Sequence, residues 1–183
     1  TVAGILPEKV MAIGENLQIR RFARFDKNVS VAYVHAGGSH GVLVNLAVEG
    51  DADVTELGKN VAMQIAAMNP KYWDKANVPQ ADVDHEMSVQ LALMENDPKM
   101  ANKPEAVLGK IVDGKISKYY KENCLVEQQF VMDGDITVGK YVENTAKALG
   151  ADVKIASFVR FEKGEGIEKR VDDFAAEVAG MVK

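Results

Sequence analysis

A single cysteine, Cys124, leaves this 183-residue chain unable to form an internal disulfide, a usage that suits a reducing cytosol. Basic charge is also short. Lys and Arg number 22 against 27 Asp and Glu, a formal net charge of −5, so no cationic field exists to displace counterions from nucleic-acid phosphates. No apolar run approaches the roughly 20 residues of a membrane span, and the amino-terminus has no signal-peptide pattern. The expectation is a cytoplasmic protein with no nucleic-acid and no membrane partner. Histidines are few, and His35, His40 and His85 are too scattered to read as metal ligands. No Ser-His-Asp order or carboxylate pair stands out, because 27 acids make coincidental pairs inevitable. The expectation is no catalytic residue, no metal and no cofactor.

What is present is a globular composition, 47% hydrophobic and 27% charged. The length supports one sizeable core or two small ones. The chain opens at Thr1 rather than Met, partway through what reads as a helix, and therefore reads as a fragment with sequence missing upstream. No repeat or low-complexity tract interrupts it.

Apolar periodicity divides the chain. Met11 to Asn16 ends a helix, with Gly14 as its expected C-terminal cap. Leu17 to Phe25 reads as a strand with Leu17, Ile19, Ala23 and Phe25 on one face. Strands follow near Val29–Ala36 and Gly41–Glu49, with a Gly-Gly turn between them and His35 closing the row Val29, Val31, Tyr33. Asp53 to Met68 is a helix, with Val54, Leu57, Val61, Ile65 and Met68 spaced at three and four. Asp53 and Glu56 resemble a capping box, and Asn69-Pro70 stops the helix. From Asp82 to Asn123 two helical stripes follow, Val83-Met87-Leu91-Met94 and Leu108-Ile111-Val112-Ile116-Tyr119. Pro98 and Pro104 mark the turn between them. That is a helical hairpin inserted into an α+β core. Thr137 to Leu149 reads as a helix with Val138, Tyr141, Val142 and Leu149 inward, and Val153 to Glu162 as a strand. Beyond Gly164 and Gly166 an amphipathic helix with Val171, Phe174, Ala175, Val178 and Val182 on one stripe is expected.

Two stretches imitate phosphate loops. After AGGSHG the residues Val42, Leu43 and Val44 continue as a strand, whereas a phosphate loop should open a helix; this is a hairpin turn. KGEGIEK does precede a helix, but Glu162, Glu165, Glu168, Asp172 and Asp173 crowd its start and would repel an anion. Arg160 and the Arg20-Arg21 pair read as solvated or salt-bridged strand residues.

Several segments in the same order resemble bacterial elongation factor Ts, over nearly the whole chain. They are IGENLQIRRFAR (Ile13 to Arg24), Tyr33-x-His35-x-Gly37-Gly38, GVLV (Gly41 to Val44), AAMNPKY (Ala66 to Tyr72), QQFVMD (Gln128 to Asp133) and FVRFEKGEGIEK (Phe158 to Lys169). Ser39-His40 replaces what is usually Arg and an apolar residue, and Gln129 replaces a usual proline. The family's N-terminal module and its Thr-Asp-Phe motif are absent.

The resemblance implies an α+β fold, an antiparallel sheet covered by helices, with an inserted helical hairpin and a C-terminal helix. It implies a remnant of a first core subdomain at 1–28 and a second core subdomain at 29–81 and 125–166. A dimerisation hairpin would occupy 82–124 and a C-terminal module 167–183. It further implies a guanine-nucleotide exchange factor that binds elongation factor Tu, GDP-bound or nucleotide-free, and promotes GDP release. Partner contacts would come from His35, Gly37, Gly38, Ile167, Val171, Phe174 and Val178. Dimer contacts would come from Met87, Leu91, Met94, Ile111 and Tyr119, giving a homodimer. Without the Phe of Thr-Asp-Phe, which in the family disturbs the magnesium and phosphate site of its partner, this chain would bind but exchange poorly. The competing readings are a structural dimerisation module and a small-molecule-binding α+β domain using the acids near Glu165. For His35, the plainer reading is a histidine completing a sheet face.

Overall fold

The computed structural model of the chain describes residues 1–26, 28–100 and 103–167. Helix α1 (Val2–Ile13) opens on Thr1, whose hydroxyl accepts from the Gly4 amide at 3.2 Å, and closes on Gly14 at φ 78. Glycine takes that left-handed cap without steric cost. None of its residues is buried, and Val2, Ile5, Met11 and Ile13 face outward. The strand expected over Leu17 to Phe25 does not form. Leu17, Ala23 and Phe25 are half-buried, but Ile19 is exposed and the segment joins no ladder among the described residues. Alternation alone cannot make a strand, because its backbone groups need a paired neighbour.

Strands β1 (Val29–His35) and β2 (His40–Glu49) form an antiparallel hairpin, Val31 opposite Val44 and His35 opposite His40. Helix α2 (Thr55–Met68) follows. It starts two residues inside the expected Asp53–Met68 and without the expected capping box: Val54 holds the cap position with no side-chain bond, and Asp53 Oδ1 accepts from the Thr55 amide at 2.9 Å, ahead of the helix. Hydrogen bonds from Thr55 also hold the Asp53 carboxyl below its usual pKa. The helix ends on Asn69 at φ 46, with Pro70 next.

Helices α3 (Gln80–Glu95) and α4 (Glu105–Asn123) pack on one another as the expected hairpin. Its root is tied to the core. The amides of Lys71 and Tyr72 donate to the Asn123 carbonyl, Leu125 donates back to Tyr72, and the Tyr72 hydroxyl donates to Asp82 at 2.6 Å. That bond, together with burial, pushes the Tyr72 phenol above its usual pKa.

A short ribbon, β3 (Gln129–Phe130) with β4 (Asp133–Thr137), leads into α5 (Val138–Leu149), capped by the Thr137 hydroxyl. Ala146 joins Val138 and Val142 on the buried side of α5, while Leu149, expected inward, is exposed where the chain reverses at Gly150. Strand β5 (Asp152–Glu162) completes a three-stranded sheet in the order β1-β2-β5. Ser157 pairs with Asn45 but Ile155 with Leu46, so Ala156 is bulged out. The bulge shifts the side-chain phase, and Val153, Ile155 and Phe158 all reach the core despite their uneven spacing.

One face of the sheet carries α2 and α5. The core between them is Val42, Val44 and Leu46 of β2, Leu57, Val61 and Ile65 of α2, Val142 of α5 and Leu125, each nearly or fully buried. Each such side chain contributes about 1.5–3 kcal/mol of transfer free energy. Helix α2 comes unusually close at Gly58, where an added Cβ would lie 2.5 Å from Val31 Cγ2. Gln64 is fully buried with every polar atom matched: its amide donates to Gln128 Oε1 and the Gln129 carbonyl, and its oxygen accepts from Val131 N.

Candidate partner-docking site

The sheet face that carries the core turns polar toward one end. In register, Val31-Val44-Phe158 is followed by Tyr33-Val42-Arg160 and then by His35-His40-Glu162. The apolar row of β1 therefore does end in His35, but past the helices, where the ring is exposed. Its Nδ1 lies 2.8 Å from the Tyr33 hydroxyl, which donates when that nitrogen is unprotonated. His40 is more enclosed, with Nδ1 2.8 Å from Ser39 Oγ and Nε2 3.6 Å from Glu162 Oε2.

Between the two histidines, residues 36–39 reverse the chain. Ala36, Gly37 and Gly38 all have positive φ, 48, 65 and 96. A Cβ on either glycine would meet open space, so backbone conformation rather than crowding demands glycine there. Ser39 O accepts from the Lys163 amide at 2.8 Å. The hairpin tip is thus fastened to the turn that follows β5.

The acids near Glu165 are engaged. Arg160 donates to Glu162 at 2.9 Å, and Arg21 to Glu165 at 2.8 Å. The Arg21 bond comes first among the causes that hold the Glu165 carboxyl below its usual pKa. Acids neutralised in this way offer little to a cation or a basic metabolite, and no metal-ligand cluster occurs among the described residues. Arg20 and Arg21 are salt-bridged or hydrogen-bonded, as expected, but from an irregular segment rather than a strand.

His35, Gly37 and Gly38 are brought together at the tip. Ile167, at the end of the turn after β5, is exposed. Val171, Phe174 and Val178, with the expected C-terminal helix, lie outside the described residues. Of the hairpin set, Met87 and Leu91 are exposed, Ile111 and Tyr119 half-buried, and Met94 buried with Val83 and Val112. Met94 thus lies inside the fold and is not a free contact. Sequence reasoning missed the Tyr33–His35 bond, a contact between residues two apart on one face of β1, and the His40–Glu162 pairing, which depends on a register that no local pattern shows.

The architecture defines an α+β protein, an antiparallel sheet with helices on one face and a helical hairpin set into the chain. The family model described as Elongation factor TS matches residues 1–165. An Elongation factor Ts of Clostridium botulinum (strain ATCC 19397 / Type A) is 46% identical over 180 residues, covering 97% of this chain and 57% of that protein. That of Clostridium kluyveri (strain ATCC 8527 / DSM 555 / NBRC 12016 / NCIMB 10680 / K1) is 44% identical over 186 residues, covering 100% and 60%. The chain belongs to the elongation factor Ts family, and spans less than two thirds of the length of these relatives. No helix among the described residues is long and apolar enough to cross a membrane.

Proposed function

We propose that this chain is the partner-docking part of a guanine-nucleotide exchange factor. It binds elongation factor Tu, GDP-bound or nucleotide-free, and by itself promotes GDP release poorly. The observation that carries the reading is the exposed tip, where His35, Gly37 and Gly38 sit at the open end of the sheet on a backbone fixed by positive φ and by the Ser39–Lys163 bond. A preorganised tip loses little entropy on docking. In this reading residues 29–81 and 125–166 are the docking subdomain and 1–28 belong to another. Residues 167–183 are a module that adds contacts through Ile167, Val171, Phe174 and Val178.

Weak exchange follows from what the sequence lacks, since it contains no Thr-Asp-Phe. Binding without that intrusion stabilises the complex without disturbing the nucleotide site. Capture by immobilised elongation factor Tu, followed by stopped-flow release of a fluorescent GDP analogue, separates the two statements. Capture with slow release is expected. Failure to bind sinks the docking reading, and release as fast as with a full-length factor sinks the account of the missing motif.

A second reading concerns self-association. The exposed Met87 and Leu91 on α3 favour residues 82–124 as a homodimer contact. The two readings are compatible, because the tip and this helix present different surfaces.

A further inference from the structure

We infer that Arg20 and Arg21 form a clasp that fixes the direction in which the chain leaves the sheet after β5, and that both are positioning residues for docking; the second half rests on the function proposed above. The turn after β5 contains Gly164 at φ 82 and Gly166 at φ 69. Two glycines within three positions leave a free turn with many conformations of similar energy. The Glu165 and Ile167 amides donate to the Glu162 and Gly164 carbonyls inside the turn, at 3.1 and 3.2 Å, and the rest of the selection must come from outside it.

It comes from two sides. The Arg20 guanidinium donates to the Glu165 carbonyl at 2.7 Å and to the Gly166 carbonyl at 3.5 Å. Arg21 donates to the Glu165 carboxylate and lies 5.0 Å over the Phe161 ring. The same carboxylate oxygen accepts from the Glu162 amide at 3.4 Å, closing the turn on itself. From the other side, Lys163 N is bonded to Ser39 of the hairpin tip. The arginines stand about 145 positions earlier in the chain, so the clasp joins the N-terminal segment, the tip and the exit toward Ile167 in one arrangement.

Chemistry separates the two arginines. Arg20 spans two successive carbonyls with a fork that lysine lacks, whereas Arg21 makes an ion pair that lysine can replace. Both Arg21 and Glu165 are about half exposed, so the pair adds little to global stability. Its effect is on which turn conformer is populated.

Amide hydrogen exchange on the whole chain tests the clasp without any partner. Arg20→Gln, Arg20→Lys and Arg21→Gln are expected to speed exchange across residues 163–167 by about threefold to tenfold, a bias worth one hydrogen-bonded contact. Arg21→Lys should leave it unchanged, and melting temperatures should stay together. Unchanged exchange in Arg20→Gln and Arg21→Gln overturns the clasp. Calorimetry with elongation factor Tu tests positioning. Arg21→Glu and Glu165→Arg should each lose about threefold to tenfold in affinity, and the double charge swap should recover it. Wild-type affinity in both single variants overturns positioning. A wild-type chain that does not bind removes the docking reading, and the exchange experiment still decides the clasp.

Discussion

His35 and His40 stand opposite one another across the β1–β2 hairpin with ring centroids 6.2 Å apart, yet only one of them is built into its surroundings. His40 touches Ser39 and Glu162, while the one hydrogen bond to the His35 side chain among the described residues involves Tyr33. A side chain this exposed, with a neighbour that water can replace, carries little folding energy. His35→Ala should therefore change unfolding free energy by no more than about 0.5 kcal/mol. In the proposed complex it should weaken affinity for elongation factor Tu. Thermal denaturation beside titration calorimetry checks both, and wild-type affinity in the stable variant takes His35 out of the contact.

Gly58 is the opposite case. Alanine would be favoured in an exposed helix interior by about 1 kcal/mol, but here its Cβ would fall 2.5 Å from Val31 Cγ2 and 2.8 Å from Val31 Cβ. Helix α2 must move off the sheet to admit it. Gly58→Ala should destabilise by about 1–3 kcal/mol. Val31→Ala trims the colliding methyl, so the double mutant should be less destabilised than the sum of the singles. Urea unfolding of the four proteins measures this, and strict additivity would place the strain elsewhere.

Gly58 also shows what a single sequence conceals. Helix α2 is visible in its period, since Leu57, Val61 and Ile65 are all buried. Nothing around Gly58 says that a β-strand residue 27 positions earlier presses on it. The same limit explains Leu17 to Phe25, whose alternation matched a strand although no neighbouring strand pairs with it among the described residues. It explains β3 as well, two residues being too short to display a period. The α+β class, the hairpin helices and the strand pair around His35 were legible because local pattern determines them. The site geometry was less so. Tyr33–His35 is a local contact, two positions apart on one face of β1, whereas His40–Glu162 is set by register, and β5 reaches His40 in phase only because of the bulge at Ala156.

Cys124 gives a prediction in alkali. The thiol is completely enclosed, and burial pushes its pKa up to about 11 from an ordinary 9.0. Because the folded-state value is the higher one, the contribution is intact below pH 9 and is lost as pH rises toward 11, where the unfolded chain releases its proton first. A two-unit difference corresponds to a loss of about 2–3 kcal/mol across that window. Tyr72, also raised, extends the decline to higher pH. Cys124→Ala should have a visibly shallower loss of unfolding free energy between pH 9 and 11. Parallel slopes for variant and wild type would show that the thiol does not govern this limb.

The helical hairpin is where burial and exposure divide most usefully. Val83 and Met94 of α3 and Val112 of α4 are buried, while Met87 and Leu91, between the first two on the same stripe, are 36% and 46% exposed. Val89 and Leu93 lie alongside, exposed as well. The hairpin therefore holds itself together at a few positions and leaves an apolar row uncovered. In the proposed twofold dimer each residue of that row would be buried twice. At about 1.5 kcal/mol or more per leucine, Leu91→Asp should weaken self-association by about 100-fold while the melting temperature of the monomer hardly moves. Val112→Asp places a charge inside the hairpin and should unfold it instead. Sedimentation velocity over a concentration series distinguishes these outcomes. A wild-type chain that remains monomeric at every concentration would leave Met87 and Leu91 without a role in self-association.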